Sequence, residues 1–165
     1  MGKVINIRNE LAPGDIGAII KLHGEYYARN NGFNYTFEPY VAIPLSEFVM
    51  NKKESESIWI VEKEGEVKGS IAIVDHGNNV AQLRWYLLDE SIQGFGIGKE
   101  LIDKAISFVM ENHYSAIILW TIDEQKKAIE IYKKNGFQKV EEKRHVMWGK
   151  EVNEECYEKV IGAKT

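Results

Sequence analysis

The spacing of apolar positions along the chain divides it into strands and amphipathic helices. Helical spacing predicts a helix that opens at 13–15 and further helices over 45–51, 97–112 and 125–135. Alternating or continuous apolar runs predict strands over 4–8, 57–62, 67–74, 80–88, 116–120, 138–148 and 154–161. The segment 30–40 is polar and aromatic and contains Asn31-Gly32, so it is predicted to be a loop.

The order of these elements is typical of a mixed α/β sandwich around one central sheet. The unit 80–121 runs strand, loop, helix, strand, so we expect a right-handed crossover between two parallel strands. Alternation along the first of these strands predicts two faces, one with Leu83, Trp85 and Leu87 and the other with Gln82, Arg84 and Tyr86.

Composition limits the class of protein without changing this picture. The chain has 165 residues, a formal net charge of −4 and one cysteine, Cys156. The length predicts a single domain over 1–165, and the acidic balance disfavours nucleic acid as a partner. A lone cysteine allows no internal disulfide and no two-cysteine metal site, so we expect a reducing, cytoplasmic location and no metal. The first ten residues do not resemble a signal peptide. The chain has no apolar run long enough to span a membrane, so we expect no membrane partner.

The segment Gln93–Lys99 carries three glycines between a predicted strand and a predicted helix. Glycine lets a ligand approach backbone N–H groups closely, and the following helix adds unpaired N–H groups at the same point. Such a segment predicts a binding site for a phosphate or diphosphate. The dinucleotide fingerprint is excluded because Leu101 stands at its third glycine, and a P-loop is excluded because Glu100 follows Gly98-Lys99.

What remains is the pattern Q-x-x-G-x-G, which resembles the acyl-CoA pyrophosphate loop of the GNAT N-acetyltransferase superfamily. The segment 128–137 is similar to the A-x-x-x-Y-x-x-x-G-F helix of the same superfamily. Two weaker matches, 23–27 and 145–149, resemble a subset of it, some of whose members are fused to DNA-binding regulators. The order of elements is similar across nearly the whole chain. The resemblance implies a mostly antiparallel sheet of about seven strands, with a parallel pair at the cofactor site and about four helices.

The resemblance also implies an acetyltransferase that uses acetyl-CoA, held by backbone N–H groups from Gln93 to Lys99. It implies that two neighbouring strands part beside Leu88, whose freed N–H would point at the thioester carbonyl. Tyr132 would hydrogen-bond or protonate the leaving thiolate as general acid. The residues implied to contact acetyl-CoA are Leu87, Leu88, Gln93, Gly94, Phe95, Gly96, Ile97, Gly98, Lys99, Gln125, Ala128 and Tyr132.

Two departures from the family pattern affect this assignment. Gln125 stands where many members carry asparagine, so an amide is kept at that position. The strand 80–88 carries Arg84 and no carboxylate, although many members place an acidic general base there. The base is therefore unassigned, and the candidates are His23, Glu38, Asp123 and His145.

The segment 23–40 is rich in aromatic residues and is predicted to line the pocket for the amine acceptor. Its candidate contacts are His23, Tyr27, Tyr35 and Glu38. Polyamines, aminoglycosides, amino acids and protein N-termini or lysines all remain open as small-molecule or peptide acceptors. The acidic and aromatic composition of the segment slightly favours a small cationic amine.

The missing strand carboxylate leaves a second function open, a non-catalytic module that binds or senses acyl-CoA. DNA binding is a third, which would require strongly salt-dependent affinity and has the acidic balance against it. Dimers are common in the superfamily, so the resemblance also allows a homodimer.

Overall fold

Residues 4–162, the part of the chain that the computed structural model describes, form a seven-stranded sheet with four α-helices. The elements follow one another along the chain in the predicted order. They are β1 (Ile5–Arg8), α1 (Asp15–Asn31), α2 (Phe37–Asn51), β2 (Ser57–Lys63), β3 (Glu66–Gly77), β4 (Val80–Leu88), a 3₁₀ turn (Glu90–Ile92), α3 (Ile97–Glu111), β5 (Ala116–Ile122), α4 (Lys126–Lys134), β6 (Gln138–Met147) and β7 (Lys150–Val160).

The strands lie in the order β1-β2-β3-β4-β5-β7-β6. Neighbouring strands pair antiparallel except β4 and β5, which are parallel and are joined through α3. This confirms the predicted fold class, a mixed α/β fold whose sheet is mostly antiparallel with one parallel pair.

Helices cover both faces of the sheet. α3 and α4 pack on one face, called here the α3 face, where Leu101, Ala105 and Val109 are fully buried. α1 and α2 pack on the opposite face, called the α1–α2 face, through Ile19 and Leu45. Among the helices of residues 4–162, none is long and apolar enough to cross a membrane.

The loop predicted over 30–40 is wrong at both ends, because α1 continues to Asn31 and α2 begins at Phe37. Pro44 lies inside α2, where it removes a backbone donor and weakens the helical signal in the sequence. Burial outweighs that loss, since α2 has a buried stripe at helical spacing. The stripe consists of Phe37, Val41, Leu45 and Phe48. A helix therefore flanks the predicted acceptor pocket.

β7 begins at Lys150 and not at 154 as predicted, because a tight turn joins it to β6. Trp148 and Gly149 have positive φ values of 56° and 86°, as a two-residue hairpin turn of type I′ requires. The turn starts the pairing of the two strands at Met147 and Lys150. The first residues of β7 include Glu and Asn, which are depleted in strands, so apolar alternation does not reveal them.

β4 contains a bulge at Trp85 that changes which residues share a face. Ala72 of β3 pairs with Arg84, but Ser70 pairs with Leu87, so β4 has one extra residue between these pairs. Trp85 has a φ of 48°, and its carbonyl accepts a 2.6 Å hydrogen bond from the Ser70 hydroxyl. Leu83 packs on the α3 face while Trp85 packs on the α1–α2 face. The predicted shared face of residues 83, 85 and 87 is therefore wrong.

The parallel pairing of β4 with β5 stops early. It joins Val80 to Ala116, Ala81 to Ile117 and Gln82 to Ile118, whereas β4 runs on to Leu88. The two strands therefore part in the middle of the sheet and leave a gap that opens toward the glycine-rich loop.

Candidate active site

The glycine-rich loop bends at two glycines between the 3₁₀ turn and α3. Gly94 and Gly96 have φ values of 86° and 78°, a left-handed conformation that side chains with a Cβ disfavour. Gly96 is the N-cap of α3, and its carbonyl accepts the N–H of Glu100. The N–H groups of residues 97–99 precede that first helical bond, so they are available to a ligand together with the positive end of the helix dipole.

Gly98 is needed for a different reason, because the first turn of α3 lies directly on the end of β4. A Cβ at this position would lie 3.0 Å from the Tyr86 hydroxyl and 3.3 Å from a methyl carbon of Leu88. The same hydroxyl donates a 2.8 Å hydrogen bond to the Gly98 carbonyl. The close approach holds the loop against the strand end, beside the gap.

The backbone N–H of Leu88 faces this gap. Asp89 donates its N–H to the carbonyl of Lys68 at 2.8 Å, so these two residues form a hydrogen-bonded pair of the β3–β4 ladder. The adjacent pair, Gly69 with Leu88, is then a non-hydrogen-bonded pair, whose polar groups point away from the partner strand. In agreement, the Leu88 carbonyl accepts a 3.1 Å bond from Nε2 of Gln93 on that side. Leu87 belongs to the next pair, with Ser70, where its N–H is used within the ladder.

A cavity of about 140 Å³ lies where the strands part, and it reaches both faces of the sheet. From the α3 face it is lined by Tyr86 and Tyr132. The strands contribute Gln82, Leu83, Arg84, Trp85, Leu119, Trp120, Thr121 and Ile122. From the α1–α2 face and the C-terminal hairpin come His23, Tyr27, Phe33, Phe37, Tyr40, Val41, Trp148 and Glu154.

Tyr132 is the phenol that α4 presents to this cavity. It is 5% exposed, and its ring packs 6.2 Å from Tyr86, 5.9 Å from Phe137 and 6.3 Å from Tyr157. Burial raises the pKa of Tyr132 well above its usual value, so the hydroxyl stays protonated at neutral pH. Among residues 4–162 the hydroxyl has no hydrogen-bond partner, which leaves its proton free for a ligand.

Two further residues of the implied acetyl-CoA set lie on or beside α4. Ala128 packs against the hydrophobic core of the α3 face. Gln125 is the N-cap of α4, and its side-chain amide donates a 3.0 Å hydrogen bond to the side-chain carbonyl of Asn31. Gln125 therefore ties the start of α4 to the end of α1.

His23 and Tyr27, two of the candidate acceptor contacts, lie in the cavity lining. His23 is 4% exposed, and its Nδ1 lies 2.8 Å from the carbonyl of Ile19, which makes Nδ1 the donor nitrogen. Burial lowers the pKa of His23 to about 4, so the imidazole is neutral at pH 7. Tyr27 stacks on Phe33 with ring centres 5.5 Å apart, and burial raises the pKa of its phenol.

Three other candidates lie outside this lining. Tyr35 is 79% exposed. Glu38 is exposed, and its side chain lies over Gly24 on the outer surface of α1. Asp123 accepts a 3.3 Å hydrogen bond from Asn153, at the point where β5 ends.

The structure adds a carboxylate that sequence reasoning missed. Glu154 of β7 lines the cavity, and its carboxylate lies 2.6 Å from Nε2 of His145 on β6. Glu154 reaches this position because it pairs with Ile122 at the end of β5. No local motif marks it, since its placement depends on the register of two distant strands.

Known proteins resemble this chain in sequence and in fold. A model of the acetyltransferase (GNAT) family matches residues 18–137. The chain belongs to this family. A curated relative, an N-acetylaspartate synthetase from Xenopus tropicalis, is 37% identical over 92 residues, which are 54% of this chain and 33% of the relative. The match therefore spans only about a third of that relative's length.

Solved GNAT structures share the fold over almost the whole chain. An acetyltransferase of the GNAT family from Staphylococcus aureus Mu50 superposes with a TM-score of 0.75 at 20% identity, covering 95% of this chain and 99% of its own. A Salmonella typhimurium protein assigned as an acetyltransferase was solved with its cofactor acetyl-CoA. It gives a TM-score of 0.76 at 14% identity, with coverage of 97% and 95%.

The GNAT family match divides the candidate site into two parts. The glycine-rich loop, Arg84 and Tyr132 fall within residues 18–137. His145, Trp148 and Glu154 fall beyond them, in the C-terminal hairpin. The family pattern therefore covers the loop and the phenol but not the carboxylate that the hairpin brings to the cavity.

Proposed function

We propose that the protein is an N-acetyltransferase that transfers the acetyl group of acetyl-CoA to an amine by direct attack on the thioester. One observation carries the proposal. β4 and β5 stop pairing at Gln82 and Ile118, and the gap that they leave has the glycine-rich loop at one end and a cavity through the sheet. A donor bound at the loop and an amine in the cavity would meet in this gap.

The loop is the proposed binding site for the diphosphate of acetyl-CoA. The two left-handed glycines expose their backbone, and the first turn of α3 adds N–H groups that no carbonyl of the helix accepts. Anions bind at such helix N-termini through these N–H groups and the helix dipole. Lys99 pairs with Asp103 at 2.7 Å, so backbone groups and not its ammonium carry the proposed contact.

The Leu88 N–H is the proposed donor to the thioester carbonyl oxygen as negative charge develops there. Its direction is fixed by the ladder before any ligand arrives, because the Gly69–Leu88 pair leaves it facing the gap. A preorganised donor of this kind is worth about 2.7–4 kcal/mol in other acyl-transfer sites. The side chain of Leu88 has no part in this role.

Two side chains that line the cavity, Tyr132 and Glu154, are the proposed proton donor and acceptor of the reaction. The amine nitrogen forms a bond to the thioester carbon, the C–S bond breaks, and the leaving sulfur takes a proton from the Tyr132 hydroxyl. Burial raises the pKa of the phenol, so Tyr132 carries its proton when this step begins. The amine loses its proton to Glu154, which His145 holds in place at 2.6 Å. The Tyr132 phenolate regains a proton from water and Glu154 releases one to water as the products leave, so the proton lost by the amine balances the one gained by the sulfur.

Glu154 is a better proposed base than His23 on physical grounds. Accepting a proton would give the imidazole of His23 a positive charge that its burial disfavours, whereas a carboxylate becomes neutral on accepting a proton. A carboxylate hydrogen-bonded to histidine can share an incoming proton with that partner. The β4 carboxylate of many relatives is thus replaced here by one from β7.

The proposal is tested by calorimetry with coenzyme A, followed by thiol release from acetyl-CoA with a panel of amines. The panel contains polyamines, aminoglycosides, amino acids and peptides with free N-termini. Heat with coenzyme A and turnover of at least one amine are expected. Binding without turnover across the panel would instead favour the non-catalytic acyl-CoA-binding module, and absence of heat with coenzyme A would reject both.

A further inference from the structure

Arg84 is a charged side chain in the cavity that has no carboxylate partner among the described residues. It lines the cavity from β4, and its guanidinium lies 4.7 Å from the centre of the Trp85 ring. Within residues 4–162 it forms no ion pair and no hydrogen bond, and stacking on Trp85 is its one specific contact. Burial lowers the pKa of Arg84, although an arginine remains protonated at neutral pH.

The other arginines of the chain show how unusual this is. Arg8 is held by Asp15 at 2.7 Å and by Glu62 at 3.2 Å, and Arg144 lies 3.5 Å from Glu151. Arg29 is exposed to water. Arg84 alone is half-buried without a carboxylate beside it, and a charge that is partly withdrawn from water is costly without a partner. A charged side chain that lacks a partner of opposite charge in a cavity is a candidate for binding a ligand of opposite charge.

The bulge in β4 explains how Trp85 comes to lie beside Arg84 in the cavity. In a regular strand, Arg84 and Trp85 would point to opposite faces. Arg84 lies on the α1–α2 face through its regular pairing with Ala72, and the left-handed conformation of Trp85 brings the indole to the same face, next to the guanidinium and Tyr40. The guanidinium then lies over the indole ring, and its N–H donors are left for a ligand.

The cavity also holds a negative group at a separate place. Glu154 lines the same cavity, but its carboxylate is bonded to His145 and forms no ion pair with Arg84. One ligand could therefore meet a cation and an anion at two points. The two glutamates of the acidic 23–40 segment, Glu25 and Glu38, are exposed and outside the lining.

We propose that the acceptor is a small amino acid, whose carboxylate binds Arg84 while its amine faces Glu154. Arginine binds a carboxylate through two parallel N–H···O bonds, which is a directional contact that lysine cannot reproduce. A cavity of about 140 Å³ suits a compact compound. This inference rests on the proposed function, and it replaces the cationic amine that the composition of 23–40 favoured.

The test uses matched acceptors that differ only at the carboxyl group. Glycine, alanine, aspartate, glutamate and phenylalanine are each compared with their C-terminal amide and with the amine that lacks the carboxyl group. Initial rates of thiol release are measured at saturating acetyl-CoA. At least one free acid should exceed both of its partners by about tenfold in kcat/KM, since a charge-assisted pair is lost in each partner.

The variant Arg84→Gln should raise KM for the free acid at least tenfold and leave its amide and the Kd of coenzyme A within about twofold. Arg84→Lys keeps the charge without the planar fork and should recover only part of the loss. Arg144→Gln, at an exposed arginine on β6, is the matched control and should change neither value.

Two results would overturn the inference and leave the proposed function standing. One is turnover of amides or simple amines that equals or exceeds turnover of every free acid. The other is an Arg84→Gln variant that still binds coenzyme A and acts on the acid and its amide with unchanged preference. If the wild-type protein does not bind coenzyme A, the proposed function is rejected, and the inference that rests on it is rejected as well.

Discussion

On one side of the β4–β5 gap, the proposed binding groups belong to the backbone of a single segment, 88–99. On the other side they are side chains from distant places, with His23 on α1, Arg84 on β4 and Glu154 on β7. The first side depends on where the chain bends, and the second depends on how separate elements pack. The comparison indicates that donor binding and acceptor choice can change independently of one another.

The charges on the two sides differ in the same way. The loop side offers uncharged N–H groups and a helix dipole, so its affinity for a diphosphate does not require a particular side chain. The acceptor side holds a cation, an anion and a neutral buried imidazole around about 140 Å³. Substitutions in the loop should therefore act through backbone conformation, whereas substitutions in the cavity should act through charge.

The largest effect is expected from replacing both left-handed glycines of the loop. In the variant Gly94→Val/Gly96→Val, the φ values of 86° and 78° would be strongly disfavoured. The left-handed conformation costs a residue with a Cβ about 1–2 kcal/mol at each position. The affinity for coenzyme A should therefore fall about 30- to 1,000-fold. Titration calorimetry with coenzyme A measures this change.

Gly17→Ala is the matched control for that variant. Gly17 lies in α1, and a Cβ added there would meet no other atom within 4 Å, so alanine fits at this position. The affinity of this control for coenzyme A should equal that of the wild type. If the loop variant also keeps wild-type affinity, the backbone of 94–96 is not the binding site.

The next largest effect concerns the acceptor side. Glu154→Gln keeps the shape of the side chain but removes the proposed base, and kcat should fall by about 100-fold or more. The Kd of coenzyme A should stay unchanged, because the loop lies on the other side of the gap. Glu151→Gln, at an exposed glutamate of the same strand, should retain full activity, and an equal loss in both variants would contradict the role of Glu154.

Tyr132→Phe tests the group that lies between the two sides. The variant keeps the buried ring and removes the hydroxyl, so kcat should fall about 100-fold while KM for acetyl-CoA changes little. Tyr114→Phe serves as control, because it removes a hydroxyl that donates to the Ser55 carbonyl away from the cavity. An unchanged kcat in Tyr132→Phe would remove this phenol as the acid.

The smallest effect is on stability and comes from His23. Burial lowers the pKa of His23 to about 4 in the folded protein, against about 6.5 when unfolded. Between these values the unfolded chain binds a proton that the folded chain does not, so folding stability is full above pH 6.5 and falls as the pH drops toward 4. From pH 7 to pH 5 the loss from this residue should be about 2 kcal/mol.

Urea unfolding at the two pH values checks this in the wild type and in His23→Gln. The variant has no imidazole to titrate, so its loss over the same interval should be smaller by about 2 kcal/mol. Equal losses in both proteins would mean that His23 is not held neutral by burial.

The same comparison explains which parts of the molecule could be predicted from sequence. The sequence motifs that mark the glycine-rich loop and α4 can be recognised because each lies within about ten consecutive residues. The parallel pair β4–β5 also follows from local order, since a strand, helix and strand in succession form a crossover. The predicted fold class was confirmed for these reasons.

The acceptor side could not be predicted in the same way. Glu154 lines the same cavity as Arg84 because β7 pairs with β5 in one register, and Trp85 lies beside Arg84 because β4 carries an extra residue there. A bulge shifts every later side chain to the opposite face, and alternation in the sequence does not reveal it. Tyr35, in the turn before α2, and Glu38, in the first turn of α2, have suitable chemistry but are exposed outside the lining. The residues that line the cavity are therefore determined by how the helices and strands pack, and not by the composition of one segment.

Amide NMR with coenzyme A is the most direct test of the central claim, that backbone groups of the glycine-rich loop bind the donor. In ¹H–¹⁵N spectra of the full chain, titration with coenzyme A should move the amide signals of 94–99 and Leu88 most, and those of 23–40 little. Saturable binding that leaves the 94–99 amides in place, with changes confined to other segments, would contradict the account.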